Sequence, residues 1–490
     1  MAILPLVLDG TTFYSKRVMG GKQLSFIDLF AGLGGFHIAL ERLGCKCVFA
    51  SELRSDLRTL YRQNFPNTPI IEGDITKVDL ASIPQHDILC AGFPCQPFSQ
   101  AGYRQGFLDE KGRGNMFNYI CEIIRLKNNN KPSFLLLENV ANLRGHDAGN
   151  TWNTIKNRLD DLGYEVYDEI LSPHEYGYPQ HRKRIYIVGV RKDIVEENWM
   201  TPFEFPIADR TQVCDINSIL NENDENIQPL SLKTHQQLKV WQKFIDEVLK
   251  HGQPIPSFPV WAMEFGATYE YERTAPSNQL KRDLYGTRGK LGRLVAGPTK
   301  ANCLSQLPIY AQTVEKDKFP DWKIRYIQQN RQFYEANKKW LKKWIPSIED
   351  WDNSHQKLEW NCGGDDDGKI FTKIVQFRAS GIRVKLPTYS PALNLVGTQI
   401  PIIPWVKLPK SKVKAYTKEE LAEYGLTRKD VQYGRYLSPR EAAKLQGMEV
   451  LDFNGLAPTR IYEALGNAVN TQVVEMIACS LIQRYCYGKD

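Results

Sequence analysis

A cysteine, an acid and two arginines stand beside apolar runs in the first 190 residues. Residues 86–90, His-Asp-Ile-Leu-Cys, read as a strand reaching the edge of a sheet. The chain then turns to Gly92, Pro94 and Pro97, so Cys95 is presented on a tight loop. A thiol held there is placed to act as a nucleophile. A free cysteine is otherwise a small buried residue as a rule, so Cys95 alone decides nothing. Residues 132–137, Pro-Ser-Phe-Leu-Leu-Leu, form a run suited to a strand buried on both faces, and it ends in Glu138. A carboxylate there is costly unless it has a partner or a task. Arg182 and Arg184 precede a further apolar run at 185–190. Side chains alternate along an extended segment, so these two point the same way. A cationic cluster of this kind is usually a solvated face.

The elements that must position these groups read as strand and helix in alternation. Residues 24–30 predict a strand, 31–35 a glycine turn, and 36–43 a helix with Phe36, Leu40 and Leu43 on one stripe. Glycines let backbone approach a ligand at the carboxyl edge of a parallel sheet. The spacing is not the dinucleotide fingerprint, because His37 stands where its third glycine would be. The next strand, 47–50, ends in Ser51-Glu52-Leu53. Glu52 can accept from both hydroxyls of a ribose, or it is a solvent-facing acid at a helix start. A third strand at 69–71 leads to Asp74 and Ile75, an acceptor for an adenine amino group and an apolar surface for its ring. Residues 99–114 are glycine-rich and charged, and loops of that length inside compact domains tend to be functional or disordered. An amphipathic helix is predicted over 115–127.

The chain has 490 residues, 42% hydrophobic, with a formal net charge of +7. That length allows two or more domains, and the basic excess suits a polyanionic partner. Ten cysteines include no Cys-x-x-Cys pair, so a zinc ribbon and a disulfide framework are not expected, and no metal is. The N-terminus lacks the basic start of a signal peptide, and no run of 18 apolar residues occurs. A cytoplasmic protein is the expectation. From about 200 to 430 the strand–helix alternation fades, and basic and aromatic residues interleave, as from Trp340 to Trp344 around Lys342 and Lys343. Residues 377–385 carry Arg378, Arg383 and Lys385; the arginines suit guanine edges and the lysine a phosphate, or all three are the charged face of a plain strand.

Gly92-Phe93-Pro94-Cys95-Gln96-Pro97-Phe98-Ser99 resembles the catalytic loop of the cytosine-C5 DNA methyltransferases. Asp28 to Phe36, Glu138-Asn139-Val140, Gln180-x-Arg182-x-Arg184 and Leu465 to Val473 match further motifs of that family, in its usual order. The resemblance implies a doubly wound α/β, Rossmann-like sheet that binds S-adenosylmethionine, with a second, smaller, mostly irregular or β target-recognition domain. It assigns 1–204 and 460–490 to the catalytic domain and 205–459 to target recognition and a hinge. It makes Cys95 the nucleophile toward cytosine C6 and Glu138 the partner of N3 and N4. Arg184 would touch the base, and Arg182 would support Glu138 or the cytosine O2. Their cationic field would favour the Cys95 thiolate. Cofactor contacts are expected from Phe30, Gly32, Gly34, Glu52, Leu53, Asp74, Ile75, Pro94, Asn467 and Ala468. DNA contacts are expected from Gln96, Ser99, Gln180, Arg378, Arg383 and Lys385, with phosphates held in a basic groove between the domains. The loop at 99–114 would close over a flipped base. Ser438, Pro439 and Glu441 predict a capped helix start, with Arg440 tying the two domains. Many members carry a Thr-Leu pair near the end of the recognition region; here Ala392-Leu393 is nearest. A monomer acting on duplex DNA is implied, with a cognate restriction endonuclease as its expected partner; an RNA cytosine methyltransferase is the alternative.

Overall fold

The computed structural model describes residues 23–94, 116–197, 202–209, 211–221, 224, 226–313, 317–363, 366–394 and 399–486. The chain divides into two compact units. The first comprises Met1–Ile219, Thr388–Thr398 and Pro439–Asp490; the second, Leu220–Pro387 and Gln399–Ser438.

In the first unit the strands are β1 (Ser25–Leu29), β2 (Lys46–Ser51), β3 (Ile71–Glu72), β4 (Ile88–Gly92), β5 (Phe134–Val140), β6 (Tyr164–Leu171), β7 (Gln180–His181) and β8 (Arg184–Arg191). Seven of them form one sheet in the order β3-β2-β1-β4-β5-β8-β6. β3 through β5 run parallel, and β8 is antiparallel to both its neighbours. The chain winds outward from β1 to β3, then crosses to β4, so the switch point lies between β1 and β4. β7 lies outside this sheet and pairs with Ser390–Pro391.

Alternation along the central strands feeds two cores. Phe26, Ile88, Cys90, Phe134 and Leu136 face one core, with Phe36, Ala39 and Leu40 of the helix Gly35–Arg42 and the apolar stripe of the helix Thr471–Tyr485. Ile27, Leu29, Leu89, Ala91, Leu135 and Leu137 face the other, with the helices Met116–Leu126 and Asn150–Asp161. Burial on both faces is why these strands read as unbroken apolar runs.

The chain returns to this unit through the helices Pro439–Leu445, Pro458–Asn467 and Thr471–Tyr485. Re-entry comes at Pro439, earlier than the expected residue 460. The reason lies in three hydrogen bonds: Gln446 Nε2 donates to Leu465 O at 2.8 Å, Asn470 Nδ2 to Leu445 O at 3.0 Å, and Thr471 Oγ1 to Gln446 O at 2.8 Å. Arg440 Nη1 donates to Leu451 O at 2.7 Å, and its guanidinium lies over Phe453, both within its own unit, where the sequence suggested a tie between domains.

The second unit has a six-stranded sheet, ordered Tyr433–Tyr436, Ile402–Lys407, Ile374–Arg378, Gly381–Lys385, Lys357–Asn361, Val260–Trp261. Two long helices, Leu232–Lys250 and Asp321–Trp344, share its core through Leu238, Trp241, Ile245, Trp340, Leu341 and Trp344. This unit therefore holds more helix than the fading alternation at 200–430 suggested. The apolar spacing at 238, 241, 245 and 248 is helical, and the tryptophans that break the simple pattern are core residues.

Three buried histidines make the fold acid-sensitive. Burial pulls His37, His86 and His235 down to about 4. Unfolded imidazoles take up protons near ~6.5, so the unfolded state gains protons first as pH falls. Stability is complete above that pH and is lost between about 6.5 and 4, by up to ~3 kcal/mol per histidine. Asp28, also buried, is pushed up and acts in the opposite sense. Thermal melts from pH 7.5 to 4.5 should show a falling midpoint, and His37→Asn should flatten the fall. A midpoint that does not move over this range would contradict the assignment.

Candidate active site

A cleft of about 560 Å³ opens at the carboxyl ends of β1, β2, β4 and β5, on both sides of the switch point. That volume is within the ~300–1,000 Å³ typical of small-molecule sites. Every described residue lining it belongs to the first unit.

One end is built by the glycine turn. Phe30 has φ 56°, a left-handed conformation that a bulky residue adopts only when its surroundings enforce it. Gly32, with φ 54°, has open space where a Cβ would stand. Its N–H donates to Glu52 Oε2 at 2.8 Å, and Arg54 N donates to Glu52 Oε1 at 2.9 Å. The acid at the end of β2 thus braces the turn after β1. Arg54 enters the same wall, pairing with Asp56 at 2.7 Å and with Glu463 at 2.9 Å. Asn467 and Ala468, at the end of the helix that carries Glu463, also line the cleft.

The other end carries charge. Glu138, the fifth residue of β5, is buried, and Arg184 Nε lies 3.0 Å from its Oε1. Burial pushes the Glu138 carboxyl up, while the guanidinium groups of Arg184 and then Arg182 pull it down. The net shift is upward, so a proton resides there more readily than on a free carboxyl. Arg182 is buried and does not hydrogen-bond Glu138: Nη1 donates to Gly466 O at 3.0 Å and Nη2 to Ala468 O at 2.7 Å. Burial lowers Arg182 to about 10, so it stays cationic at neutral pH. The support for Glu138 expected of Arg182 by contact therefore comes from Arg184. Asn139 Nδ2 donates to Phe93 O at 2.9 Å, pinning the loop two residues ahead of Cys95.

The cleft thus gathers Phe30, Gly32, Glu52, Pro94, Glu138, Arg182, Arg184, Asn467 and Ala468 of the predicted set. Cys95, Gln96, Ser99 and the loop at 99–114 lie outside the described residues. Gly34, Leu53, Asp74 and Ile75 do not line the cleft. Gly34 starts the helix Gly35–Arg42 with φ 81°, and a Cβ there would meet the Phe65 ring at 2.5 Å, so packing explains this glycine. Leu53 is 69% exposed. Asp74 Oδ1 accepts from Thr76 N at 3.0 Å, capping a short turn in which Ile75 is buried. Gln180 is fully buried on β7, which pairs with Ser390–Pro391. In the second unit, Arg378 and Arg383 both hold Glu359, at 2.6 and 2.9 Å, so the charged-strand reading describes their present state. Lys385 lies on the same strand as Arg383.

Arg54, Glu463 and Asn139 were not singled out from the sequence. Asn139 sits inside a quoted motif, but nothing there gave it a partner. Arg54 and Glu463 are 409 residues apart, and no local pattern pairs them. The bonds predict an order of stability. A lysine at 182 would bring a single nitrogen where the guanidinium meets the two carbonyls with two, and leaving one buried group unpaired costs ~1–3 kcal/mol. Arg182→Lys should therefore lower the unfolding free energy by about that amount in denaturant titrations. Arg184→Lys should cost less, because Glu138 can take a proton instead of staying an unpaired charge. The reverse order would contradict this account.

The C-5 cytosine-specific DNA methylase family matches residues 24–483. The Type II methyltransferase M.HhaI of Haemophilus parahaemolyticus is 46% identical over 184 residues, 38% of this chain and 54% of that protein. The chain thus spans about half the length of this curated relative. The Type II methyltransferase M.AluI of Cellulosimicrobium cellulans is 29% identical over 519 residues, covering 94% of this chain and 92% of that protein. Among solved structures, a Spodoptera frugiperda DNMT2 mutant covers 94% of this chain and 99% of that one at TM-score 0.48 and 15% identity, too distant to carry an argument. With the match running from the first strand into the last helix, the chain belongs to the C-5 cytosine-specific DNA methylases.

Proposed function

We propose that the protein transfers a methyl group from S-adenosylmethionine to C5 of a cytosine in duplex DNA. The observation that carries this is the Glu138–Arg184 pair, opening into the same cleft as the glycine turn. The residues present fit the cofactor: Gly32 leaves space for a ligand beside its backbone, and the Glu52 carboxylate stands at the end of β2 for a ribose. Phe30, Gly32, Glu52, Asn467 and Ala468 would hold it; Gly34, Leu53, Asp74, Ile75 and Pro94 complete the set expected from the family. When bound, S-adenosylmethionine supplies the electrophilic methyl that C5 takes up.

Cytosine C5 is a poor nucleophile until a group adds at C6. In this reading the Cys95 thiolate forms the S–C6 bond, and electron density moves to C5. Glu138, whose carboxyl burial pushes up, can hold a proton toward cytosine N3 and draw density from C6. Arg184 fixes the Glu138 carboxyl and touches the base; Arg182 holds Arg184's strand against the last motif. After methylation the C5 proton leaves, the electron pair re-forms the ring double bond, and the thiolate is expelled. The base must leave the duplex first, which costs a few kcal/mol of unstacking. Gln96, Ser99 and Gln180 are proposed near the DNA, and Arg378, Arg383 and Lys385 in recognition, which for the arginines requires release from Glu359. The proposal extends to a protective role beside a restriction endonuclease, in keeping with the Type II methyltransferase names of the relatives, and to a protein that acts as a cytoplasmic monomer.

The test is label transfer from radiolabelled S-adenosylmethionine to mixed-sequence duplex DNA, with structured RNA in parallel. Cys95→Ala should abolish label in DNA, and Glu138→Gln should slow it by ~10²–10⁴-fold. Label confined to RNA, or label in DNA that survives Cys95→Ala, would overturn the reading. Thiol chemistry gives a second check. Burial raises the thiols of Cys45, Cys47, Cys362 and Cys486 to about 12 and Cys121 to about 11, so at pH 8 they stay protonated and unreactive. An alkylating reagent should modify Cys95 ahead of these five, by peptide mass spectrometry, and target DNA should protect it.

A further inference from the structure

The lysines and tryptophans near the end of the helix Asp321–Trp344 are not absorbed by the cleft. This helix carries seven Lys and Arg against two Asp and Glu, a net +5 in a chain whose total is +7. Its lysines do not simply radiate into solvent. Lys339 and Lys343 line a concavity of about 370 Å³ together with Lys243 and Lys250 of the helix Leu232–Lys250. Trp340 and Trp344 form its floor as buried core residues. Their indole N–H groups are already used, on Asn337 Oδ1 at 3.0 Å and Val240 O at 3.0 Å. Glu247, the acid in the lining, lies 3.4 Å from Lys250. Among the described residues, Lys243, Lys339 and Lys343 have no carboxylate within ion-pair distance. Lys339 and Lys343 are also four residues apart on one helix face, where like charges destabilise the helix. Ordinary solvated lysines explain charge, but not three unpaired ammonium groups converging on one hollow with an apolar floor.

Resting on the DNA substrate proposed above, we infer that this hollow binds the phosphate backbone of duplex DNA, independently of sequence. Its residues all belong to the second unit, whereas the cleft belongs to the first. The ammonium groups are point charges without the planar fork that reads a base edge, so they suit phosphate oxygens and carry no sequence information. The hollow would raise affinity for any duplex, and the recognition site would then select.

The test uses the full chain with Lys339→Gln and Lys343→Gln together, and Lys412→Gln with Lys414→Gln as a control pair of surface lysines. Binding to non-target and methylatable duplexes is measured from 50 to 200 mM salt, with a thermal melt to confirm folding. Losing two phosphate contacts should reduce the slope of log affinity against log salt by about 1.8. Across that salt range the wild type should lose roughly tenfold more affinity than the variant, on both duplexes. Methyl transfer at saturating DNA should be unchanged. An unchanged slope in a folded variant, or an equal fall in the control pair, overturns the inference. So does inorganic tripolyphosphate that saturates the hollow, blocked by the same substitutions, while DNA binding stays intact. A wild type that methylates no DNA sinks the proposed function instead, and the two failures are thereby distinguished.

Discussion

The guanidinium of Arg182 is the constraint on which the site depends. It is buried, and it donates to the carbonyls of Gly466 and Ala468, 284 and 286 residues along the chain. Gly466 is in the last turn of the helix Pro458–Asn467, and Ala468 follows it, ahead of the helix Thr471–Tyr485. One side chain thus joins the entry to β8 to the segment that closes the first unit. Two residues on, Arg184 meets Glu138 across the antiparallel pair of β8 with β5, where Val140 and Arg184 are register partners. If Arg182 shifted, Arg184 would move with it, and Glu138 would lose its counter-charge. Fixing a buried cation to two backbone carbonyls gives it more rigidity than a carboxylate on a flexible stem would.

The glycine turn is held on similar terms. The φ values of Phe30 and Gly32 are both left-handed, and Glu52 reaches from β2 to take the Gly32 N–H. A conformation that local sterics disfavour persists because a side chain from the neighbouring strand satisfies its backbone. Gly35 adds a second constraint: a Cβ there would come within 2.4 Å of Val469. The last motif therefore packs directly on the first. Segments that are remote in sequence are pressed together around one cleft, which is why the segment from Pro439 cannot be separated from the first unit.

Much of this was legible in the sequence because it is local. Apolar runs at 132–137 and 185–190 marked strands, and both proved to be interior strands of the sheet, paired on either side. The motifs pointed to Glu138, Arg184 and Gly32 because strand ends are where such a sheet binds ligands. The packing of Arg182 and Gln180 could not be read, since their neighbours lie far away in sequence: backbone carbonyls near 467 in one case, the strand Ser390–Pro391 in the other. Gly34 looked like its neighbour Gly32, yet one glycine answers to the Phe65 ring and the other to open space. Only the fold separates them. The long helices of the second unit were hidden by Trp and Lys, residues that serve a core and a charged surface alike.

In the second unit, the arginines proposed for recognition are held by a partner that the local sequence does not reveal. Glu359 holds Arg378 and Arg383 on adjacent strands, so neither cation is free in this state. An arginine pair neutralised this way must exchange a carboxylate for a new acceptor before it can read a base. That exchange favours only an acceptor that matches the planar fork of the guanidinium, because a poorer one would leave Glu359 unpaired. In the proposed recognition role the carboxylate would act as a competitor that raises the threshold for the wrong base. Lys243, Lys339 and Lys343 of the hollow face no such competitor among the described residues. Charge held in check by a partner suits selection, and charge left unpaired suits affinity for any backbone.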